Sequence, residues 1–150
     1  MKNSNHNKGF LLIVLVLGIQ AINGQTVFGK WKTIDDKTGV TKAIVDVYEK
    51  NGLLNAKIVQ VLEEGREDAL CIKCEGELKD KPVQGMHIMR NFKKNGDGEY
   101  KGNSLLDPEN GTTYKGKVWL DGQDSNKLKV RGYVAFLYRT QTWHRVTDAQ

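Results

Sequence analysis

A turn between two alternating runs of apolar and polar residues constrains the fold of this chain more than any other feature. The turn lies in the segment 107–114, where Pro108 fixes one backbone angle and the side chain of Asp107 can cap the turn. Asn110 and Gly111 follow, and both residue types readily adopt a positive φ. The segment therefore predicts a β-hairpin.

The same pattern recurs along the chain, since short alternating runs are separated by clusters of turn residues. Asn51-Gly52 between two such runs is a strong hairpin signal. No stretch has the period of a long amphipathic helix. Residues 136–139 are predicted to connect the last two strands. The predicted strands are residues 27–34, 40–49, 53–61, 83–92, 99–106, 112–120, 128–135 and 140–146. About eight strands of this kind predict an all-β, antiparallel barrel or sandwich.

The two ends of the predicted domain favour the barrel. Gly29 and Trp31 lie in the first strand, and Trp143 and Arg145 lie in the last. A glycine beside a large aromatic residue lets the first strand cross the barrel floor while the indole fills it. Arg145 could then stack on Trp31 through a cation–π contact of about 0.5 to 2 kcal/mol. Terminal strands that meet would close the sheet and remove its exposed edges.

The first 24 residues have the layout of a secretory signal peptide. Lys2 and Lys8 form a positive region, and residues 9–19 form an apolar run that is short for a membrane span. Cleavage is expected before Gln25, which leaves residues 25–150 as a single domain; an uncleaved N-terminal anchor is the alternative. We expect an exported protein of the periplasm, the cell envelope or the extracellular space that is not an integral membrane protein.

The charge of the chain gives weak evidence for nucleic acid as a partner. The formal net charge is +5, and removal of Lys2 and Lys8 leaves +3. The remaining basic residues are interleaved with Asp and Glu rather than clustered. No nucleic-acid partner is predicted.

The segment 62–82 breaks the alternating pattern and predicts a long loop, in which Cys71 and Cys74 are the only cysteines of the chain. In an oxidising compartment the simplest interpretation is a disulfide that pins the loop. A redox-active pair is a second interpretation. A metal site completed by His87 and His144 is a third, although the spacing lacks a typical histidine pair.

Several motifs together resemble known families. Gly29-x-Trp31 with the late Arg145 resembles the calycin pattern of lipocalins and fatty-acid-binding proteins. A more specific set is similar to a family of small exported bacterial proteins catalogued as domain of unknown function 2147. The resemblance implies a lipocalin-like β-barrel in the cell envelope and no established reaction. The motifs are Cys71-x-x-Cys74, Pro82-x-x-Gly85-Met86, Leu106-Asp107-Pro108-x-x-Gly111-x-x-Tyr114, Val130-Arg131-Gly132-Tyr133 and Thr142-Trp143-x-Arg145.

The residues expected to matter are structural or ligand-binding, and no catalytic residue, metal ligand or cofactor is predicted. Small residues at Ala56, Gly102 and Gly116 are expected to leave room inside the barrel. The predicted ligand-binding residues are Met86, Ile88, Tyr114 and Tyr133. The predicted interior comprises Met86, Met89, Leu105, Leu106, Val118, Val130 and Phe136. The predicted structural residues are Gly29, Trp31, Asp107, Pro108, Gly111, Arg131, Gly132, Trp143 and Arg145.

Two functional hypotheses remain open from the sequence. The first is a non-catalytic exported barrel that binds an apolar or amphipathic small molecule. The alternative is a structural or protein-interaction module with a filled barrel, whose partner docks on the loop 62–82. A redox or metal-dependent enzyme is a distant third. A contiguous apolar cavity of at least about 300 Å3 would favour the first hypothesis.

Overall fold

The computed structural model describes residues 24–147 and forms a closed antiparallel β-barrel of eight strands. The fold class predicted from the alternating pattern is therefore confirmed. Apart from Gly24, the predicted signal peptide lies outside the described residues. The strands are β1 (Gly29–Ile34), β2 (Thr41–Lys50), β3 (Leu53–Val61), β4 (His87–Lys94), β5 (Glu99–Asp107), β6 (Thr112–Leu120), β7 (Lys127–Val134) and β8 (Leu137–Arg145), with a short 3-10 turn at Gly76–Leu78.

Each strand pairs with the next along the chain, and β8 returns to pair with β1. That closing seam is short, because its ladder joins Trp31 to Arg145 and Lys32 to His144. The β2–β3, β4–β5 and β6–β7 connections lie at one end of the barrel, which we call the closed end. The β1–β2, β3–β4, β5–β6 and β7–β8 connections lie at the other, which we call the open end.

Trp31 fills the floor of the closed end and is fully buried. Its indole Nε1 donates a hydrogen bond to the carbonyl oxygen of Val27 at 2.9 Å. The guanidinium of Arg145 lies 4.1 Å from the centre of the indole ring, which is the stacking that the terminal motifs predict. Arg145 also donates to the carbonyl oxygens of Phe28 and Thr26, at 3.1 and 2.7 Å. One side chain therefore fastens the N-terminal segment, β1 and β8 together.

The half of the barrel next to this floor is packed solid. Phe92 is fully buried, and its ring lies directly over Gly102 and Gly116. A Cβ atom at Gly102 would come within 2.2 Å of the ring, and one at Gly116 within 2.9 Å. The expectation that these glycines leave room for a ligand is therefore wrong, because Phe92 occupies that space. Other side chains that fill this half are Leu54, Met89, Val118 and Leu128.

Two strand boundaries differ from the prediction by more than two residues. β4 begins at His87 rather than at residue 83, because Gly85 takes a φ of 90° and its N–H donates to Ile58 while the chain is still in the connection. The predicted connection through residues 136–139 is also wrong. Leu137 pairs with Val134, so only two residues form the β7–β8 turn.

Phe136 lies in that two-residue turn, and its side chain is 90% exposed. Its predicted place in the interior is therefore wrong. Tyr100 is buried at the closed end and packs against Phe28 with a ring separation of 5.7 Å. Phe136 is exposed because the register of the last hairpin puts it in the turn rather than in a strand.

Candidate functional site

The half of the barrel towards the open end holds a cavity of about 630 Å3. Residues from most of the strands contribute to its wall, and the deep part of the wall is apolar. Trp143 and Val45, at 3% and 1% exposure, mark the deep part. Leu137 and Tyr138, at 63% and 61%, mark the part that reaches solvent. The other apolar residues of the wall include Ala43, Ile58, Val61, Ile88, Leu105, Leu106 and Val130.

Charged side chains surround the opening of the cavity. Lys42, at the start of β2, forms ion pairs with Glu109 at 2.7 Å and with Glu63 at 3.1 Å. Glu109 belongs to the β5–β6 turn, on the far side of the barrel, so this contact spans the opening. The hydrogen bond to Glu109, more than that to Glu63, raises the pKa of Lys42 above its usual value.

A second ion pair lies at the opening, between β8 and the β1–β2 connection. Arg139 of β8 contacts Asp36 of the β1–β2 connection at 2.8 Å. The backbone ladder between β1 and β8 ends at the Lys32–His144 pair, well short of the open end. The ion pair therefore joins the two strands where the sheet itself no longer does. A polar rim over an apolar wall is suited to a molecule with a polar head and an apolar body.

The β5–β6 turn is built as the sequence predicts. The Asp107 carboxylate accepts hydrogen bonds from the backbone N–H of Glu109 at 2.9 Å and from the side chain of Asn110 at 3.0 Å. Gly111 has a φ of 72°, and a Cβ there would lie 2.0 Å from the carbonyl oxygen of Lys73. Glycine is required at this position because the long loop packs directly on the turn.

The long loop contains the Cys71–Cys74 disulfide. The sulfur of Cys71 lies 3.3 Å from the carbonyl oxygen of Pro108, so the bridge sits against the β5–β6 turn. Because the two sulfurs are bonded to each other, they are not available as thiolate ligands for the metal site considered above. The ring of His87 forms a hydrogen bond with the hydroxyl of Tyr48 at 2.9 Å. Among residues 24–147, no group of three or more His, Cys, Asp and Glu side chains is placed to hold a metal ion.

Replacement of both Cys71 and Cys74 by alanine is expected to lower the free energy of unfolding by about 2 kcal/mol or less. The loop that the bridge closes is short, so its loss restores little chain entropy to the unfolded state. Urea unfolding of the double variant and of the control Ile72→Ser measures the difference. A larger loss, or free thiols in the native protein, would contradict the structural role assigned to this bridge.

The four predicted ligand-binding residues fall in different places. Ile88 and Tyr114 line the cavity. Met86 is buried but is not part of the cavity wall. Tyr133 lies in a groove on the outer surface, because its neighbour Gly132 takes the inward position of β7. A ligand-binding role stays a prediction for Ile88 and Tyr114, and the geometry does not support it for Tyr133.

Sequence reasoning missed most of the cavity. Ala43 and Val45 share one face of β2, and the alternation of that strand is a signal that could have identified them. The contact between Lys42 and Glu109 had no such signal, since 67 residues separate the two positions. Of the predicted structural residues, Trp143 forms the deep wall of the cavity. Arg131 lies on the outer surface between two aromatic rings.

The closed eight-stranded barrel, the floor tryptophan and the cavity at one end define a lipocalin-like protein. The structure is similar to that of protein HP1028 from Helicobacter pylori, which is described as belonging to the lipocalin family. The two are 20% identical, the match covers 81% of this chain and 84% of the other, and the TM-score is 0.68.

The chain belongs to the family described as "Uncharacterized protein conserved in bacteria (DUF2147)", whose model matches residues 29–145. Comparison with curated proteins finds no match. Within residues 24–147 there is no helix long and apolar enough to cross a membrane.

Proposed function

We propose that this barrel binds one apolar or amphipathic small molecule in the cavity at its open end, and that it does so outside the cytoplasm. The observation that carries the proposal is the 630 Å3 cavity in a barrel whose other half is packed solid. Ligand sites of proteins commonly enclose about 300 to 1,000 Å3 and have mostly apolar walls with a few polar groups.

The rim and the wall together indicate the shape of the ligand. The apolar body would lie against Val45, Ile58 and Ile88, and the polar end would lie near Lys42 and Glu109. Lys42 already has two carboxylate partners. A ligand whose polar end forms hydrogen bonds suits this rim better than a fully charged anion. Export is supported by the pattern of residues 1–24 together with the disulfide.

Titration with a fluorescent fatty-acid analogue tests the proposal. We expect saturation at one site with a micromolar dissociation constant, which corresponds to about 8 kcal/mol. Ala43→Phe places a large ring in the cavity and should weaken binding about tenfold or more. Gln60→Phe is the matched control, because Gln60 is exposed and lies outside the cavity.

Two results would contradict the proposal. One is the absence of saturable binding across probes of varied chemistry, and the other is equal weakening by Ala43→Phe and Gln60→Phe. Circular dichroism of both variants shows whether the fold is retained.

The interaction module remains a second candidate because the long loop exposes apolar side chains. Leu70 and Ile72 are 45% and 66% exposed at the open end. Loss of a protein partner in Ile72→Ser, together with unchanged probe binding, would support this second function.

A further inference from the structure

The tip of the β7–β8 hairpin is an exposed apolar projection. Its five consecutive residues, 134–138, are all apolar or aromatic. Phe136 is 90% exposed, and Val134, Leu137 and Tyr138 are between 55% and 63% exposed. Ala135 adopts a φ of 51°, which is unfavourable for a residue with a side chain. Burial of these side chains in water-free surroundings would be strongly favourable, and the barrel itself does not bury them.

A ladder of cations and aromatic rings lies directly below this tip on the outer face. The guanidinium of Arg131 lies 4.1 Å from the ring centre of Tyr138 and 5.1 Å from that of Trp119. Lys117 lies 4.9 Å from the same indole. Tyr133 and Tyr138 have ring centres 6.1 Å apart. Tyrosine and tryptophan are enriched where proteins meet the polar headgroups of a membrane.

More cations lie beside the ladder in a groove of the outer surface. Lys115 lies nearest to the tip, since it pairs with Tyr133. Lys93 and Lys101 also line this groove, but they lie next to the β4–β5 turn of the closed end. Lys101 pairs with Glu99. Lys93 and Lys115 form no ion pair within residues 24–147. Arg131 has no ion pair in the described residues either, so it and Lys115 give the surface next to the apolar tip an uncompensated positive charge.

We propose that the β7–β8 tip inserts into the surface of an anionic lipid bilayer, with Lys115 and Arg131 on the lipid phosphates. The distance between the hairpin tip and Arg131 is consistent with insertion into a bilayer. Arg131 pairs with Thr140, three ladder positions below the Val134–Leu137 pair. At about 3.3 Å per residue, the backbone of Arg131 lies roughly 10 Å below the tip, and its guanidinium extends to the ring of Tyr138. Apolar groups of proteins at a bilayer surface are buried about 5 to 10 Å deep.

The same observations argue against a second copy of the chain as the occupant. A stable dimer buries about 800 Å2 on each partner, and a single projecting hairpin of five residues supplies far less. A symmetric contact would also bring Lys115 and Arg131 of two copies close together, which is unfavourable.

Insertion of the tip would place the opening of the cavity at the lipid surface, since Val134, Leu137 and Tyr138 also line the cavity. The bilayer proposal does not depend on a ligand in the cavity. Phe136 reaches the tip without lining the cavity, so the two proposals can be tested separately.

Flotation with lipid vesicles tests the proposal. The protein is used in the form that is purified from the expressing cell, with whatever N-terminus that cell leaves on it. Every variant then has the same N-terminus, and differences report the tip. Vesicles of phosphatidylcholine with phosphatidylglycerol should carry the protein, and vesicles of phosphatidylcholine alone should carry much less. Phe136→Ser should weaken binding about tenfold or more. Ile72→Ser is the control, since Ile72 is similarly apolar and 66% exposed but lies in the long loop.

Charge is tested with Lys115→Gln, which should weaken binding to the anionic vesicles about fivefold, with a smaller effect at high salt. Both Phe136→Ser and Lys115→Gln should leave titration of the cavity unchanged. Equal binding to neutral vesicles, equal loss in Ile72→Ser, or no vesicle binding at all would overturn the proposal. So would a Phe136→Ser variant that loses only self-association or a protein partner.

Discussion

Replacement of Trp31 by alanine is expected to lower the free energy of unfolding by about 3 to 5 kcal/mol, the usual range for removal of a buried aromatic side chain. Trp31 has no exposed surface, and its indole N–H is satisfied by Val27. The truncation leaves a cavity at the closed end. It also leaves the half-buried guanidinium of Arg145 without the ring on which it stacks. Urea unfolding followed by the fluorescence of the remaining tryptophans measures the loss.

A double-mutant cycle separates the stacking from the cavity. Trp31→Ala and Arg145→Ala should be non-additive by at least about 0.5 kcal/mol, because the two side chains are in contact. The matched cycle uses Arg139→Ala, since Arg139 pairs with Asp36 at the opposite end of the barrel. That cycle should be additive. Additivity in the first cycle would show that the stacking does not help to close the barrel.

Replacement of Gly102 by valine is expected to have the second largest effect, a loss of about 3 kcal/mol, at the upper end of the range for overpacked cores. The new Cβ would lie 2.2 Å from the ring of Phe92. That ring is fully buried and also contacts Gly116, so it has no free space to enter. Gly122→Val is the control, because nothing lies within 4 Å of a Cβ at Gly122.

A compensating substitution shows whether the loss comes from this contact. Phe92→Leu destabilises the barrel alone, but it should recover part of the stability of Gly102→Val by making room for the new side chain. Urea midpoints of the four proteins give the interaction energy. If the losses of unfolding free energy from Phe92→Leu and Gly102→Val were additive, the contact between the Phe92 ring and residue 102 would not explain the loss. The account of how this half of the barrel is filled would then be wrong.

The sequence was sufficient to predict the barrel, because its evidence is local. Alternation gives each strand its inward face, and turns such as Asn51-Gly52 and 107–111 fix where the strands end. The closure of the barrel was also predictable, because a tryptophan at one end of the domain and an arginine at the other can stack, and Trp31 and Arg145 are paired in the closing seam.

The extent of the cavity could not be predicted, because it depends on which large side chain fills which gap. Gly102 and Gly116 indicate space in the sequence, but Phe92 reaches across from a neighbouring strand to fill it. Ala43 and Val45 have no such neighbour and leave the open end empty. The β7–β8 turn was misplaced for a related reason. Its Ala-Phe pair lacks the Gly or Asn that normally marks a two-residue turn.

Methyl-selective NMR during titration with the fatty-acid analogue tests the central claim most directly. If the ligand occupies the cavity, the methyl signals of Val45, Ile58 and Ile88 should shift and saturate together. Those of Leu54 and Leu128, which belong to the packed half, should stay in place. Shifts confined to the outer surface, or no shifts at saturating probe, would contradict a ligand site inside the barrel.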